Sequence, residues 1–85
     1  MEIVEGSIVR SVAGRDKGGL FIVLAREGDY AYLANGDLRK VDRPKRKKLK
    51  HLQGTKSVSE FVQNKLSTQG KVTNSEVRKA LAEFS

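Results

Sequence analysis

The segment from Leu20 to Ala25 constrains the fold most strongly, because its six residues are all apolar. Alternate residues of a strand point to opposite faces of a sheet. One face would carry Leu20, Ile22 and Leu24, and the other would carry Phe21, Val23 and Ala25. A lone small barrel buries only one face of each strand. The sequence therefore predicts a small β-structure with a further layer packed against the outside of this strand.

Residues 1–55 have the pattern of a small barrel made of short strands and tight turns. The Asn35-Gly36 pair is a strong signal for a two-residue hairpin turn, which would place Leu33 opposite Leu38 and Tyr32 opposite Arg39. The predicted strands are Ser7 to Val12, Gly19 to Ala25, Tyr30 to Ala34, Asp37 to Val41 and a short one around Leu49 to Leu52. About five short strands in so few residues are typical of an SH3-like barrel.

Residues 56–85 are predicted to form a pair of short α-helices that packs on the barrel. The segments Ser57 to Glu60 and Thr73 to Glu76 both fit the capping-box pattern, and Gly70 is placed to end the first helix. The apolar stripes at helical spacing are Val58, Phe61, Val62 and Leu66, then Val77, Leu81 and Phe84, with Val72 placed for a hydrophobic staple to Val77. Isolated helices of this length are marginal in water, so docking on the barrel is expected.

The positive charge of the chain is concentrated in one segment. The net charge is +7, and Arg39 to Lys50 holds eight bases and one acid, whereas nine bases and nine acids are spread over the rest. Such a cluster is expected of a site that neutralises phosphates, although like-charge runs are also found in solvated or disordered segments. Pro44 cannot donate to a strand ladder, so the bases are expected in a loop or on a sheet edge.

Several function classes are disfavoured by the composition. There is no cysteine and only one histidine, His51, so no cysteine-based or histidine-rich metal site, and no cofactor, is expected. The acidic start does not fit a secretory signal, and no apolar run approaches the ~20 residues that span a bilayer, so a reduced, cytoplasmic setting is expected. The segment Gly14 to Gly18 lacks the ending of a phosphate-binding P-loop. With no acid–base or nucleophile arrangement in view, the chain is not expected to be an enzyme.

Binding of nucleic acid fits the residues better. In the predicted hairpin Arg39 would lie beside Tyr32, with Tyr30 on the same face, and such a pair can stack an unpaired base of RNA. Both tyrosines packing in the barrel wall is the alternative. A DNA-reading helix-turn-helix is disfavoured, because the second helix would present only Arg78 and Lys79 among acidic residues.

The segment from Gly6 to Leu33 resembles the KOW motif, a small-barrel module of ribosomal proteins and transcription elongation factors. The residues that carry the resemblance are Gly6, Val9, Gly14 to Gly18, and Ile22-Val23. Farther along, Asn35-Gly36, the basic run, His51-Leu52 and Thr55 resemble the large-subunit ribosomal protein family called fourteen-e, and Thr73 to Leu81 is similar to the helical end of its archaeal members. Lys48 and Gly54 depart from the family pattern, which leaves open a ribosome-associated factor rather than a constitutive component.

The resemblance implies an SH3-like barrel that docks on ribosomal RNA of the large subunit through the turn Gly14 to Lys17 and the segment Arg43 to Lys50. A plain surface turn is the alternative for the former, and a structural role is the alternative for His51. The predicted RNA-binding residues are Arg15, Lys17, Tyr32, Arg39, Arg43, Lys45, Arg46, Lys47, Lys48, Lys50 and His51. We expect a monomer that binds RNA and no membrane, with ribosomal proteins as further candidate partners. The competing hypotheses are a protein-interaction module of the transcription or translation machinery, and a duplex-DNA binder.

Overall fold

A computed structural model describes residues 2–84 and contains one five-stranded antiparallel sheet and two helices. The elements are β1 (Ser7–Ser11), β2 (Leu20–Glu27), β3 (Tyr30–Ala34), β4 (Lys45–Lys48), a 3₁₀ turn (Leu49–His51), β5 (Leu52–Val58), α1 (Glu60–Gln69) and α2 (Asn74–Phe84). The strand order is β4-β3-β2-β1-β5, so β4 and β5 are the two edges of the sheet. The predicted fold, a mainly β SH3-like barrel followed by two short helices, is confirmed. Strand β5 continues to Val58, past the boundary predicted at residue 55.

Strand β2 is covered on both faces, as its sequence predicts. On the concave side, Phe21 and Val23 are buried with residues of β1, β3 and β5. On the other side, Ile22 is fully buried in a cluster formed with the helices, which we call the helix-side cluster. Its buried members are Ile8, Ile22, Val62, Val72, Val77 and Ala80. Burial of an aliphatic side chain contributes about 1.5–3 kcal/mol, so the helices stabilise a strand that would otherwise expose this face to water.

Helix α1 begins two residues later than its predicted capping box. Ser57 and Val58 pair with β1, and the helix is capped instead by Ser59, whose hydroxyl accepts a hydrogen bond from the Val62 amide at 3.2 Å. The box at Ser57 is therefore wrong, because strand pairing continues through that residue. Gly70 ends the helix in the left-handed region at φ +76°, as predicted. Phe61, expected on the apolar face, is 58% exposed. It directly precedes the buried Val62, and successive residues of a helix point about 100° apart, so both side chains do not face the sheet.

Helix α2 has the reciprocal capping box that its sequence predicts. The Thr73 amide donates to Glu76 Oε1 at 2.9 Å, and the Glu76 amide donates to Thr73 Oγ1 at 3.2 Å. Val72 and Val77 are both buried in the helix-side cluster, which agrees with the predicted staple. These contacts fix where the second helix starts and which face it turns to the sheet.

The ion pair between Lys65 and Glu76 joins the two helices and makes their stability depend on pH. The hydrogen bond from Lys65 and, next, the Thr73 amide lower the pKa of the Glu76 carboxyl. A carboxyl whose pKa is lowered by folding stabilises the fold above its unfolded-state pKa, and this contribution is lost as pH falls through the folded-state value. We expect Glu76→Gln to be less stable than the native protein at neutral pH, and the difference to close in acid. Urea unfolding over a pH series measures this, and a constant difference would contradict it.

The predicted hairpin at Asn35-Gly36 is wrong. The Asn35 side-chain oxygen accepts hydrogen bonds from the amides of Asp37 and Arg39, at 3.0 and 2.9 Å, which closes a local loop instead of a strand pair. Only Gly36 has a positive φ, whereas a type I′ turn needs it at both central residues. The chain therefore runs through a loop, and β3 pairs with β4 rather than with residues 37–41. The strand predicted around Leu49 is the 3₁₀ turn followed by β5.

Candidate nucleic-acid interface

The densest part of the basic run forms the edge strand β4. Among the strands of residues 2–84 it pairs with β3 alone, which places Lys48 opposite Tyr30, Arg46 opposite Tyr32 and Lys47 opposite Ala31. Side chains directly opposite each other share a face. Arg46 and Lys48 therefore project with the two tyrosines on the outer face, whereas Lys47 turns toward the buried Ala31. The prediction that the bases lie in a loop or on an edge is confirmed.

An arginine does stack on a tyrosine here, but not the predicted pair. The Arg46 guanidinium carbon lies 3.6 Å from the centre of the Tyr30 ring, and Lys48 Nζ lies 5.9 Å from it. Tyr32 is half-buried, and its hydroxyl donates a hydrogen bond to the Glu27 carboxylate at 3.3 Å. The predicted Tyr32–Arg39 contact depended on the hairpin and is wrong for the same reason. The cation–π arrangement is nevertheless present on this surface, with Arg46 in place of Arg39.

Arg39 is instead occupied by an ion pair. Its Nε and Nη2 donate to the two carboxylate oxygens of Asp16 at 3.3 and 3.1 Å, and the Asp16 side chain is only 15% exposed. This bidentate pair joins the loop after β3 to the turn of residues 14–18. The sequence showed Asp16 only as a turn residue, and it held no signal for this long-range partner. The charge of Arg39 is neutralised within the protein.

Lys47 is buried, unlike the other bases of β4. It is 8% exposed, and its Nζ donates to the Ala13 carbonyl at 2.7 Å. The same ammonium passes so close to Gly14 that a Cβ there would lie 3.3 Å from it. A lysine inside a basic run is ordinarily exposed, and only the two-residue alternation of a strand could have indicated the inward direction. Lys47, one of the predicted RNA-binding residues, holds the 13–14 turn against β4.

Two hydrogen bonds join three basic segments of the chain to one another. Lys47 ties the 13–18 turn to β4, and the Val12 amide donates to the His51 carbonyl at 2.9 Å, which ties it to the 3₁₀ turn. His51 itself is half-buried. Within residues 2–84, seven of the predicted bases are exposed and form no ion pair, and we call them the basic surface. They are Arg15, Lys17, Arg43, Lys45, Arg46, Lys48 and Lys50.

Because Lys47 is buried, we expect its replacement to lower the stability of the fold and to leave the affinity for RNA nearly unchanged. Lys47→Met keeps the aliphatic stem and removes the charged hydrogen bond to Ala13, so we expect the free energy of unfolding to fall by about 1.5 kcal/mol. Affinity for RNA should change by less than about threefold, because the buried ammonium offers little to a phosphate. Denaturant unfolding and RNA titration of one sample measure both. A large loss of affinity in a variant of native stability would contradict the structural role.

No protein-family model matches the chain, and no curated protein sequence is significantly similar to it. Among residues 2–84, no group of three or more histidine or carboxylate side chains is arranged to hold a metal ion. Neither helix in that range has the length and apolar character needed to cross a bilayer. The features that bear on function are therefore the geometry and charge of the basic surface, together with the resemblance seen in the sequence.

Proposed function

We propose that this protein binds structured RNA through the basic surface, as a component or an associated factor of the large ribosomal subunit in the cytoplasm. The observation that carries the proposal is the set of seven bases that are exposed and form no ion pair within residues 2–84, of which three lie on β4 and the others on the 13–18 turn, the loop before β4 and the 3₁₀ turn after it. Of the nearby acids, Asp16 is paired with Arg39 and Glu27 accepts a hydrogen bond from Tyr32, so Asp29, which shares a groove with Lys48 and Lys50, is the one that offsets part of the positive charge. The remaining positive charge is free to attract phosphates.

The mechanism we infer is electrostatic docking on a preformed surface. Lysine and arginine that neutralise phosphates release counterions, which gives affinity that falls steeply with salt and depends little on sequence. The bases of β4 are held at fixed spacing by the sheet, and the 13–18 turn is anchored to that strand by Lys47. Binding would therefore require little ordering of these two segments, which limits its entropic cost.

RNA is favoured over duplex DNA by two features. The Arg46–Tyr30 pair offers a stacking surface for unpaired bases, which RNA loops present and a duplex does not. In α2, the Arg78 side chain donates intramolecular hydrogen bonds to the Gly36 carbonyl and to Ser75 Oγ. A helix whose arginine is committed in this way is poorly suited to read a major groove. The KOW-like and fourteen-e-like residues support ribosomal RNA as the partner.

A second candidate function is a protein-interaction module, favoured by the exposed ring of Phe61. This side chain is 58% exposed and borders a groove between the helices that Glu76, Lys79, Ala80 and Glu83 also line. An exposed aromatic beside a groove is a common anchor for a protein partner. Under this alternative, Phe61→Ala would abolish partner binding and the bases of β4 would be dispensable.

Cosedimentation with ribosomal subunits across a salt series tests the proposal. We expect association with the large subunit at low salt, released as salt rises, with a slope of roughly −5 in log affinity against log salt if about six phosphates are contacted. Association that survives high salt and is lost in Phe61→Ala would favour the protein-interaction module. No association at low salt would contradict the ribosomal assignment.

A further inference from the structure

A small groove lies at the end of β4, next to the Arg46–Tyr30 pair. It is lined by Asp29, Tyr30, Lys48, Leu49 and Lys50. The Leu49 amide donates to the Asp29 carbonyl at 2.8 Å, which joins the β2–β3 turn to the 3₁₀ turn and fixes the two walls relative to each other. The groove is therefore a built feature of the fold rather than a gap between mobile side chains.

The walls of this groove combine an aromatic ring with both signs of charge. The Arg46 guanidinium carbon lies 3.6 Å from the centre of the Tyr30 ring, and Nζ of Lys48, a lining residue, lies 5.9 Å from it. Two basic residues, Lys48 and Lys50, and one apolar residue, Leu49, complete the lining. A flat, polar heterocycle fits such a site, since its faces pack on the aromatic and apolar walls while its edge meets the charged groups.

Asp29 is the unexpected member of the groove. It is exposed, and within residues 2–84 its carboxylate has no hydrogen-bond or ion-pair partner. The two-residue turn Gly28-Asp29 would be served equally well by asparagine, so turn geometry does not require the charge. A carboxylate beside two lysines lowers the affinity of the surface for phosphate. Its presence favours a ligand that offers hydrogen-bond donors at this point.

Resting on the proposed function, we propose that this groove binds an unpaired guanine base. Guanine presents two adjacent donors, N1–H and the N2 amino group, which a carboxylate such as that of Asp29 accepts together. Its O6 and N7 are acceptors for the ammonium groups of Lys48 and Lys50. Adenine and cytosine would turn a ring-nitrogen acceptor toward the carboxylate, and uracil offers a single donor between two carbonyls. Only guanine matches both signs of charge in the groove.

Fluorescence anisotropy with two labelled uridine oligomers tests the proposal, one carrying a single central guanosine and the other a central adenosine. We expect the native protein to prefer the guanosine oligomer about tenfold, in line with the discrimination of a bidentate contact. Asp29→Asn keeps the turn and removes the second acceptor, so affinity for the guanosine oligomer should fall. Affinity for the adenosine oligomer should rise slightly, because a negative charge is gone.

Asp37→Asn is the matched control, since it removes another exposed carboxylate outside the groove. It should strengthen binding of both oligomers alike and leave the preference intact. Equal binding of the two oligomers by the native protein, or an unchanged preference in Asp29→Asn, would overturn the guanine site alone. Binding of neither oligomer by protein that still associates with the large subunit would overturn the guanine site alone, whereas loss of both kinds of binding at low salt would overturn the proposed function as well.

Discussion

Replacing Lys45, Lys48 and Lys50 together by alanine is expected to weaken binding to RNA on the order of 100-fold at about 0.1 M salt. All three side chains are exposed and free of ion pairs within the described range 2–84. Each phosphate contact on a single strand contributes roughly 0.7 to the slope of log affinity against log salt, so the slope should become less steep by about two. Titration of a labelled RNA at several salt concentrations measures both quantities.

The matched control replaces Lys56, Lys71 and Lys79, which are equally exposed but lie on β5, after α1 and on α2. Both triple variants lower the net charge from +7 by three, so a nonspecific effect of charge would weaken them alike. We expect the control to lose less than about threefold in affinity. Equal losses in the two variants would show that RNA responds to the total charge of the protein and not to the basic surface.

Gly36→Ala is expected to lower the free energy of unfolding by about 3 kcal/mol, the largest single-site effect we predict on stability. Gly36 is buried at φ +77°, and an added Cβ would collide with the Asn74 carbonyl at the start of α2 and lie 2.8 Å from Arg78 Cγ. The left-handed backbone costs a non-glycine residue about 1–2 kcal/mol, and overpacking adds about 1–3 kcal/mol. In a domain of this size the melting temperature should fall by roughly 12–24 °C.

Gly18→Ala separates the two causes. Gly18 has φ +89°, yet an added Cβ would have no neighbour within 4 Å, so this variant carries the backbone strain without the collision. We expect it to cost about 1 kcal/mol. Thermal unfolding of the two variants gives the comparison. Equal losses of stability in the two variants would contradict the close packing of α2 against the 35–39 loop.

The elements that depend on local chemistry could be read from the sequence. Strand β2 is apolar on both faces, which predicts a second layer packed on it. Ile22 is buried by the helices, and Phe21 is buried within the barrel. The left-handed end of α1 at Gly70 and the capping box at Thr73 involve residues three or four positions apart. Such features are determined by neighbours along the chain, so the sequence alone is enough to predict them.

The details of the candidate interface could not be predicted, because they depend on partners far apart in sequence. The Arg39–Asp16 pair spans 23 positions and the Lys47–Ala13 contact spans 34. Once the 35–44 loop replaced the hairpin, the arginine facing the tyrosines changed from Arg39 to Arg46. Composition shows that a basic run exists. Only the register of β4 decides which of its bases face water and which one is buried.

Amide chemical-shift mapping during titration with an RNA stem-loop tests the central claim most directly. We expect the amides of β4, of the 3₁₀ turn and of residues 14–18 to shift together, because these segments carry most of the basic surface and are joined by hydrogen bonds. The outer amides of α2 should remain unchanged. Shifts confined to the helices around Phe61, with β4 unaffected at low salt, would contradict the account.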